Sequence, residues 1–65
     1  MSKRVLVPIA DGSEEMEAVT IIDVLRRAGA EVEVASVESQ LQITASRGVK
    51  LVADALIGEC RDNDY

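Results

Sequence analysis

Glu17 is the residue whose position points most directly to chemistry. The sequence predicts a helix that begins at Ser13 and runs to about Ala28. At about 100° per residue, its apolar arc consists of Ala18, Ile21, Ile22, Leu25 and Ala28, widened by Val24. Glu17 falls inside this arc, and burial disfavours the charged form of a carboxyl group. A neutral carboxylic acid can donate a hydrogen bond to a thiolate or an oxyanion. The alternative is a partly exposed glutamate that merely faces the helix dipole.

Arg47 and Cys60 are the other side chains that invite a functional reading. Arg47 lies in a Ser-Arg-Gly turn, where it could orient a carboxylate of a substrate or partner, or simply be exposed. Cys60 is the only thiol, and Glu59 beside it opposes ionisation, which favours a structural or incidental cysteine. Because the chain has no histidine, it cannot build a Ser-His or Cys-His pair by itself.

The turn before the helix could bind an anion, because Gly12 and Ser13 lead into a helix N-terminus. It lacks the glycine pattern of a dinucleotide or P-loop site. The three glutamates that follow, Glu14, Glu15 and Glu17, would also repel phosphate. A module that binds a phosphate ligand is therefore an alternative that the acidic first turn opposes.

The segments around the helix predict a β-α-β unit. Lys3 to Ile9 is a nearly continuous apolar run, typical of a buried parallel strand, although Pro8 removes one ladder donor. Glu31 to Val37 alternates polar and apolar residues and predicts a second strand. Open α/β sheets bind ligands at the carboxyl ends of their strands, and Glu17 lies at that edge.

The last third of the chain predicts a small edge hairpin and one helical turn. Gln42–Thr44 and Gly48–Val52 are the predicted short strands, and Asp54 is the expected N-cap of a turn over Ala55–Cys60. We find no internal repeat or linker, so a single incomplete domain accounts for the sequence. A lone β-α-β unit leaves sheet faces and edges to be covered by something else.

Composition limits the partners and the compartment. The chain has 65 residues, of which 48% are hydrophobic, and a net charge of −5. This acidic balance argues against nucleic acid and against anionic membranes. One cysteine and no histidine give neither a disulfide nor a zinc-type site.

With no signal-like or membrane-length apolar run, the expected compartment is the cytosol. So short a domain is marginal alone, so we expect stability to come from another chain or from further sequence.

The run from Val5 to Val19, VLVPIADGSEEMEAV, resembles the opening of the ThiJ/PfpI superfamily, closest to the branch of the parkinsonism-associated deglycase and its bacterial relatives. Asp23–Gly29 and Ile43–Val49 continue the likeness. It covers nearly all of this chain but only about the first third of a typical member. The resemblance implies an α/β, flavodoxin-like three-layer sandwich with a parallel sheet, related to class I glutamine amidotransferases, present here as its N-terminal part.

The resemblance also implies roles for individual residues. Glu17 matches a protonated glutamate that hydrogen-bonds the nucleophilic cysteine and lowers the pKa of that thiol. Arg47, and more weakly Arg27, match arginines near the site at a dimer interface, and Glu14 matches a residue near the same pocket. The Pro-Gly-Gly strand end and the nucleophilic cysteine would follow Tyr65, so we expect them outside this chain. Cys60 does not match the nucleophile.

The function implied is covalent thiolate attack on small reactive carbonyls, as in glyoxalase or deglycase activity. Family labels also include intracellular protease or amidase, chaperone, stress response and thiazole monophosphate biosynthesis. A non-enzymatic redox-sensing or chaperone protein of the same fold is the main alternative. We expect no cofactor and no metal. The expected partner is a second copy in a homodimer, or a complementary chain that carries the C-terminal part.

Overall fold

The computed structural model describes residues 3–61 and 63–65. The helices and strands follow in the order β1 (Arg4–Ile9), α1 (Glu15–Arg27), β2 (Glu31–Ser36), β3 (Gln42–Thr44), β4 (Lys50–Val52) and β5 (Ala55–Leu56), with a final 3-10 turn, Ile57–Glu59. The predicted β-α-β unit and the hairpin are thus confirmed, with strand and helix ends displaced by one or two residues. Within these described ranges, no helix is long and apolar enough to cross a membrane.

Three parallel strands form the main sheet, in the order β1-β2-β5. β1 and β2 pair along their whole length, from Arg4 opposite Glu31 to Ile9 opposite Ser36. Since side chains alternate across a strand, this register places Val7 and Ile9 beside Val32 and Val34 on one face of the sheet. That face is the one that α1 covers.

Helix α1 packs on this face through few side chains. Ala18 and Ile22 are half-buried against the core, four residues apart and therefore on one side of the helix. The helix ends as the sequence predicts, with Arg26 and Arg27 in its last turn. Gly29 follows at φ +90°, a left-handed conformation that L side chains rarely adopt, and its N–H donates to the carbonyl of Arg26.

The β3–β4 hairpin supplies the rest of the core. Ile43 pairs with Leu51 across the antiparallel ladder and is 1% exposed, the largest fully buried side chain. It lies in a cluster of buried residues: Ile9, Val34, Ile43, Ala45 and Ala53. Gly48, at φ +84°, closes the hairpin turn by donating its N–H to the carbonyl of Ala45. The hairpin and α1 therefore cover the same face of the sheet.

The prediction of a helical turn over Ala55–Cys60, capped by Asp54, is wrong. Ala55–Leu56 forms β5 and pairs with β2, and only Ile57–Glu59 is helical. The Asp54 carboxylate accepts instead from the main-chain N–H of Val34 at 2.9 Å. This bond ties the start of β5 to β2, and it overrides the local preference of aspartate for a helix N-cap.

Candidate functional site

Glu14 and Glu17 line one hollow at the carboxyl end of β1. The hollow has a volume of about 170 Å³, and its walls are formed by Val7, Pro8, Ser13, Glu14, Glu17, Ala18 and Ile21. One wall is therefore the end of a strand and the other is the first two turns of α1. This is the sheet edge at which open α/β folds bind ligands. The structure thus brings together two of the four residues that the sequence nominated.

Glu17 is exposed within this chain, although the sequence placed it in the buried arc of the helix. The three-stranded sheet and the hairpin contact α1 along Ala18 and Ile22. They leave Ile21, which is 44% exposed, and Val24 uncovered on the side where Glu17 lies. Burial of Glu17 by a larger assembly remains a prediction.

The type of residue predicts Ser13 as the N-cap of the helix, but the first turn is built differently. Glu14 is the N-cap, and its Oε1 accepts from the N–H of Met16 at 2.9 Å. Ser13 closes the preceding turn, because its N–H donates to the Ala10 carbonyl while its Oγ accepts from the Ala10 N–H. Ser13 can make both bonds only from outside the helix, which moves the cap one residue along the chain.

Glu15 is the residue that sequence reasoning missed. Helical periodicity puts Glu15 outside the apolar arc and predicts an exposed side chain, yet Glu15 is only 9% exposed. Its Oε1 accepts from the hydroxyl of Ser46 at 2.7 Å, and its Oε2 accepts from the N–H of Arg47 at 2.9 Å. A hydrogen bond from its own main-chain N–H, and then the one from Ser46, favour the charged form and lower the pKa of Glu15. No sequence signal reveals the contact, because the partners lie 31 and 32 residues away.

Three more hydrogen bonds join the same two segments, which we call the loop–turn clasp (residues 11–15 and 44–47). The N–H of Gly12 donates to the Thr44 carbonyl, and the N–H of Thr44 donates to Asp11 Oδ1, both at 2.9 Å. The N–H of Ser46 donates to the Ser13 carbonyl, also at 2.9 Å. The clasp therefore fixes the hairpin turn against the start of α1, next to the hollow.

The two nominated arginines have different surroundings. Arg47 belongs to the clasp through its main chain, and the residue is exposed. Arg27 lies in the last turn of α1, ten residues after Glu17 and hence about 15 Å along the helix axis. Its Nε donates to Asp23 Oδ1 at 2.9 Å in an exposed pair. Within this chain Arg27 is not brought to the hollow, and its place at a dimer interface stays a prediction.

Cys60 is buried away from the hollow, among the residues of the C-terminal turn. It is 3% exposed, and its Sγ donates to the Leu56 carbonyl at 3.5 Å. Burial raises the pKa of this thiol, and the nearby Glu33 and Glu59 charges add to the effect. Cys60 is therefore a poor nucleophile, as the sequence indicated. No group of three or more metal-ligating side chains occurs in the part of the chain that the structure describes.

A shallow groove lies between α1 and the hairpin, over the core residues Ile9 and Val34. Its volume is about 180 Å³, and its apolar lining includes Val19, Ile22, Leu51 and Val52. At one end Arg26 Nη2 donates to Asp54 Oδ2 at 3.4 Å. Val52 is 69% exposed there, which is unusual for so large an apolar side chain. We call this feature the helix–hairpin groove.

Together, the fold and the hollow define a class. A parallel sheet with one covering helix is the opening of an α/β protein, a class whose open sheets bind ligands at the carboxyl ends of their strands. A model of the DJ-1/PfpI family matches residues 3–65, and the chain belongs to this family. The resemblance to the ThiJ/PfpI superfamily is thereby confirmed.

Individual relatives agree with this assignment. Protein DJ-1 homolog B of Arabidopsis thaliana is 63% identical over 62 residues, which are 95% of this chain and 14% of that protein. The structure of oxidized Toxoplasma gondii DJ-1 has a TM-score of 0.96 at 56% identity, covering 98% of this chain and 35% of that one. Drosophila melanogaster DJ-1beta gives a TM-score of 0.96 at 38% identity, covering 100% and 35%.

The chain therefore spans from 14% to 35% of the length of these relatives. Its parallel sheet and helix correspond to the N-terminal, flavodoxin-like part of the DJ-1 fold.

Proposed function

We propose that these residues form the N-terminal part of a cysteine-dependent enzyme that acts on small reactive carbonyls, with glyoxalase- or deglycase-like chemistry. The observation that supports this proposal is the hollow that Glu14 and Glu17 line at the carboxyl end of β1. A carboxyl group at this sheet edge can serve a reacting group brought by the rest of the fold. The nucleophile itself lies outside this chain.

Glu17 acts on that nucleophile as a hydrogen-bond donor. Further sequence covers the side of α1 where Glu17 and Ile21 are now exposed, and apolar surroundings favour the neutral carboxylic acid. Its O–H then stabilises a thiolate and lowers the pKa of that cysteine. The thiolate sulfur adds to the aldehyde carbon of an α-oxoaldehyde; the carbon–sulfur bond forms as the carbon–oxygen π bond breaks and its electron pair moves onto oxygen. That oxygen takes up a proton from solvent water, which gives a hemithioacetal.

The test uses a chimera in which these 65 residues replace the matching segment of Toxoplasma gondii DJ-1. The matching segment is 35% of the Toxoplasma gondii DJ-1 chain. Glu17→Leu removes the donor, and Glu17→Gln keeps a weaker one. We expect Glu17→Leu to raise the pKa of the reactive thiol by about 1–2, because the thiolate loses the free energy of one hydrogen bond to a charged group. Glu17→Gln should give a smaller rise.

The pKa is measured from the pH dependence of thiol alkylation, and turnover from the consumption of methylglyoxal. Glu31→Gln is the matched control, since Glu31 is exposed at the opposite end of the sheet. An unchanged thiol pKa in Glu17→Leu contradicts the role of Glu17. A low thiol pKa without methylglyoxal consumption contradicts the enzymatic proposal and favours the non-enzymatic redox-sensing alternative.

We also propose that the protein is a homodimer whose partner covers the helix–hairpin groove. The support is the exposure of two valines that line this groove, Val52 (69%) and Val19 (47%). A charged group at Val52 would be desolvated without a partner in such an interface. Val52→Glu is therefore expected to convert the chimera from dimer to monomer in light scattering, whereas Val37→Glu should not. A dimer that persists in Val52→Glu contradicts this interface.

A further inference from the structure

Glu15 is the one carboxylate of α1 that is both buried and fully engaged by another segment. One oxygen accepts from the Ser46 hydroxyl at 2.7 Å and the other accepts from the Arg47 N–H at 2.9 Å. Because its helix begins at this residue, the side chain leaves the helix at its first position and reaches the hairpin turn. Nothing in the proposed chemistry uses Glu15, so its burial calls for another explanation.

The other bonds of the loop–turn clasp hold the base of the turn. Thr44 is bonded through both its N–H and its carbonyl, and Ser46 is bonded through its N–H to the Ser13 carbonyl. Glu15 is the group in the clasp that binds Arg47 itself. Removing its carboxylate therefore leaves the hairpin attached and releases the residue at the tip of the turn.

We propose that Glu15 is a positioning residue, which holds the main chain of Arg47 so that its guanidinium reaches the proposed carbonyl site. This inference rests on the proposed function, because it gives Arg47 a role at that site. The Arg47 side chain is long and exposed, so its reach is set by where its main chain is fixed. The bond from the Arg47 N–H to Glu15, with the bond from the neighbouring Ser46 hydroxyl, fixes this main chain more firmly than a solvated turn would.

The shape of Glu15 and its charge can be separated by substitution. Glu15→Ala removes both acceptors. Glu15→Gln keeps the geometry without the charge, since its carbonyl oxygen can accept from the Arg47 N–H while its amide donates to Ser46 Oγ. Ser46→Ala removes one bond and leaves the one to Arg47. Glu31→Ala, at the far end of the sheet, is the control.

The first measurement is amide hydrogen exchange in the chimera. We expect Glu15→Ala to speed exchange of the Arg47 amide roughly tenfold, with the Thr44 and Ser46 amides little changed, because one net hydrogen bond is lost at Arg47. Glu15→Gln should restore most of the protection. Unchanged exchange at Arg47 in Glu15→Ala overturns the inference, and so does equal loss in Glu15→Gln, which would indicate a role for charge rather than position.

The second measurement is a double-mutant cycle on methylglyoxal consumption. If Glu15 acts through Arg47, then Glu15→Ala, Arg47→Ala and the double variant all raise KM by the same factor. A merely structural role would instead give additive losses, and that result overturns the inference. If Glu15→Ala does not fold, the same cycle and exchange are read from Glu15→Leu, which removes both acceptors but still fills the buried space.

The two proposals fail in different ways. Normal kinetics in Arg47→Ala would contradict the positioning role of Glu15 and leave the proposed function, which rests on Glu17, untouched. If the unsubstituted chimera consumes methylglyoxal slowly while its Arg47 amide is still protected from hydrogen exchange, the proposed function is contradicted and the clasp stands as described.

Discussion

Truncation of Ile43 should cost more stability than that of any other hairpin side chain. Ile43 is 1% exposed and lies between Ile9, Val34 and the opposite hairpin strand. Ile43→Ala removes three buried carbons, worth about 2.4 kcal/mol at about 0.8 kcal/mol for each. The cavity left behind adds to this loss, so we expect a decrease of about 3–4 kcal/mol in the free energy of unfolding. Ile43→Val should cost about 1 kcal/mol.

The assay is urea unfolding of the chimera, followed by far-ultraviolet circular dichroism. The expected result is a lower midpoint with an unchanged m-value, because the surface exposed on unfolding stays the same. Val37→Ala is the control, since Val37 is 47% exposed and should cost much less than Ile43→Ala. A loss below about 1 kcal/mol in Ile43→Ala would show that the hairpin is not part of the cooperative core, and it would refute the reasoning.

Two further predictions concern pH and chain length. The folded pKa of Glu15 is lowered, so its ionisation stabilises the fold above the unfolded pKa, and this contribution is lost as the pH falls through the folded pKa. The unfolding free energies of the chimera and of Glu15→Gln, measured by urea titration, should therefore converge as the pH falls below the ordinary glutamate pKa of about 4.3, and a constant difference down to acid pH would contradict the shift. The isolated 65-residue chain should not unfold cooperatively, because its sheet is incomplete, and a sharp calorimetric transition would disprove this.

The parts of the fold that sequence predicted are those with a local signal. β1 is a run of aliphatic residues, β2 alternates, and α1 is marked by its periodicity and by Gly29 after its end. β5 was missed because Ala55–Leu56 has only two residues and carries no period of its own. Its strand state follows from pairing with Ala35 and Ser36, a contact that no local pattern encodes.

The residues of the candidate site also fall into those that the sequence could predict and those that it could not. Helical position singled out Glu17 and the resemblance nominated Glu14, and the structure places both at one hollow. Helical periodicity, however, gives only the angle of a side chain and not which angles the neighbours cover. Periodicity therefore predicted a buried Glu17 and an exposed Glu15. In the structure Glu15 is the buried one, because the hairpin turn lies against it.

The loop–turn clasp also bears on the order in which the chain folds. Its side-chain bonds join residues that are 31 to 33 positions apart, so closing it requires a long loop to be ordered first. We expect the clasp to form after β1, α1 and β2 have packed, and hence after the folding transition state. Substitutions that strengthen the clasp would then slow unfolding and leave the folding rate almost unchanged. Such a protein has a longer-lived folded state but does not fold faster.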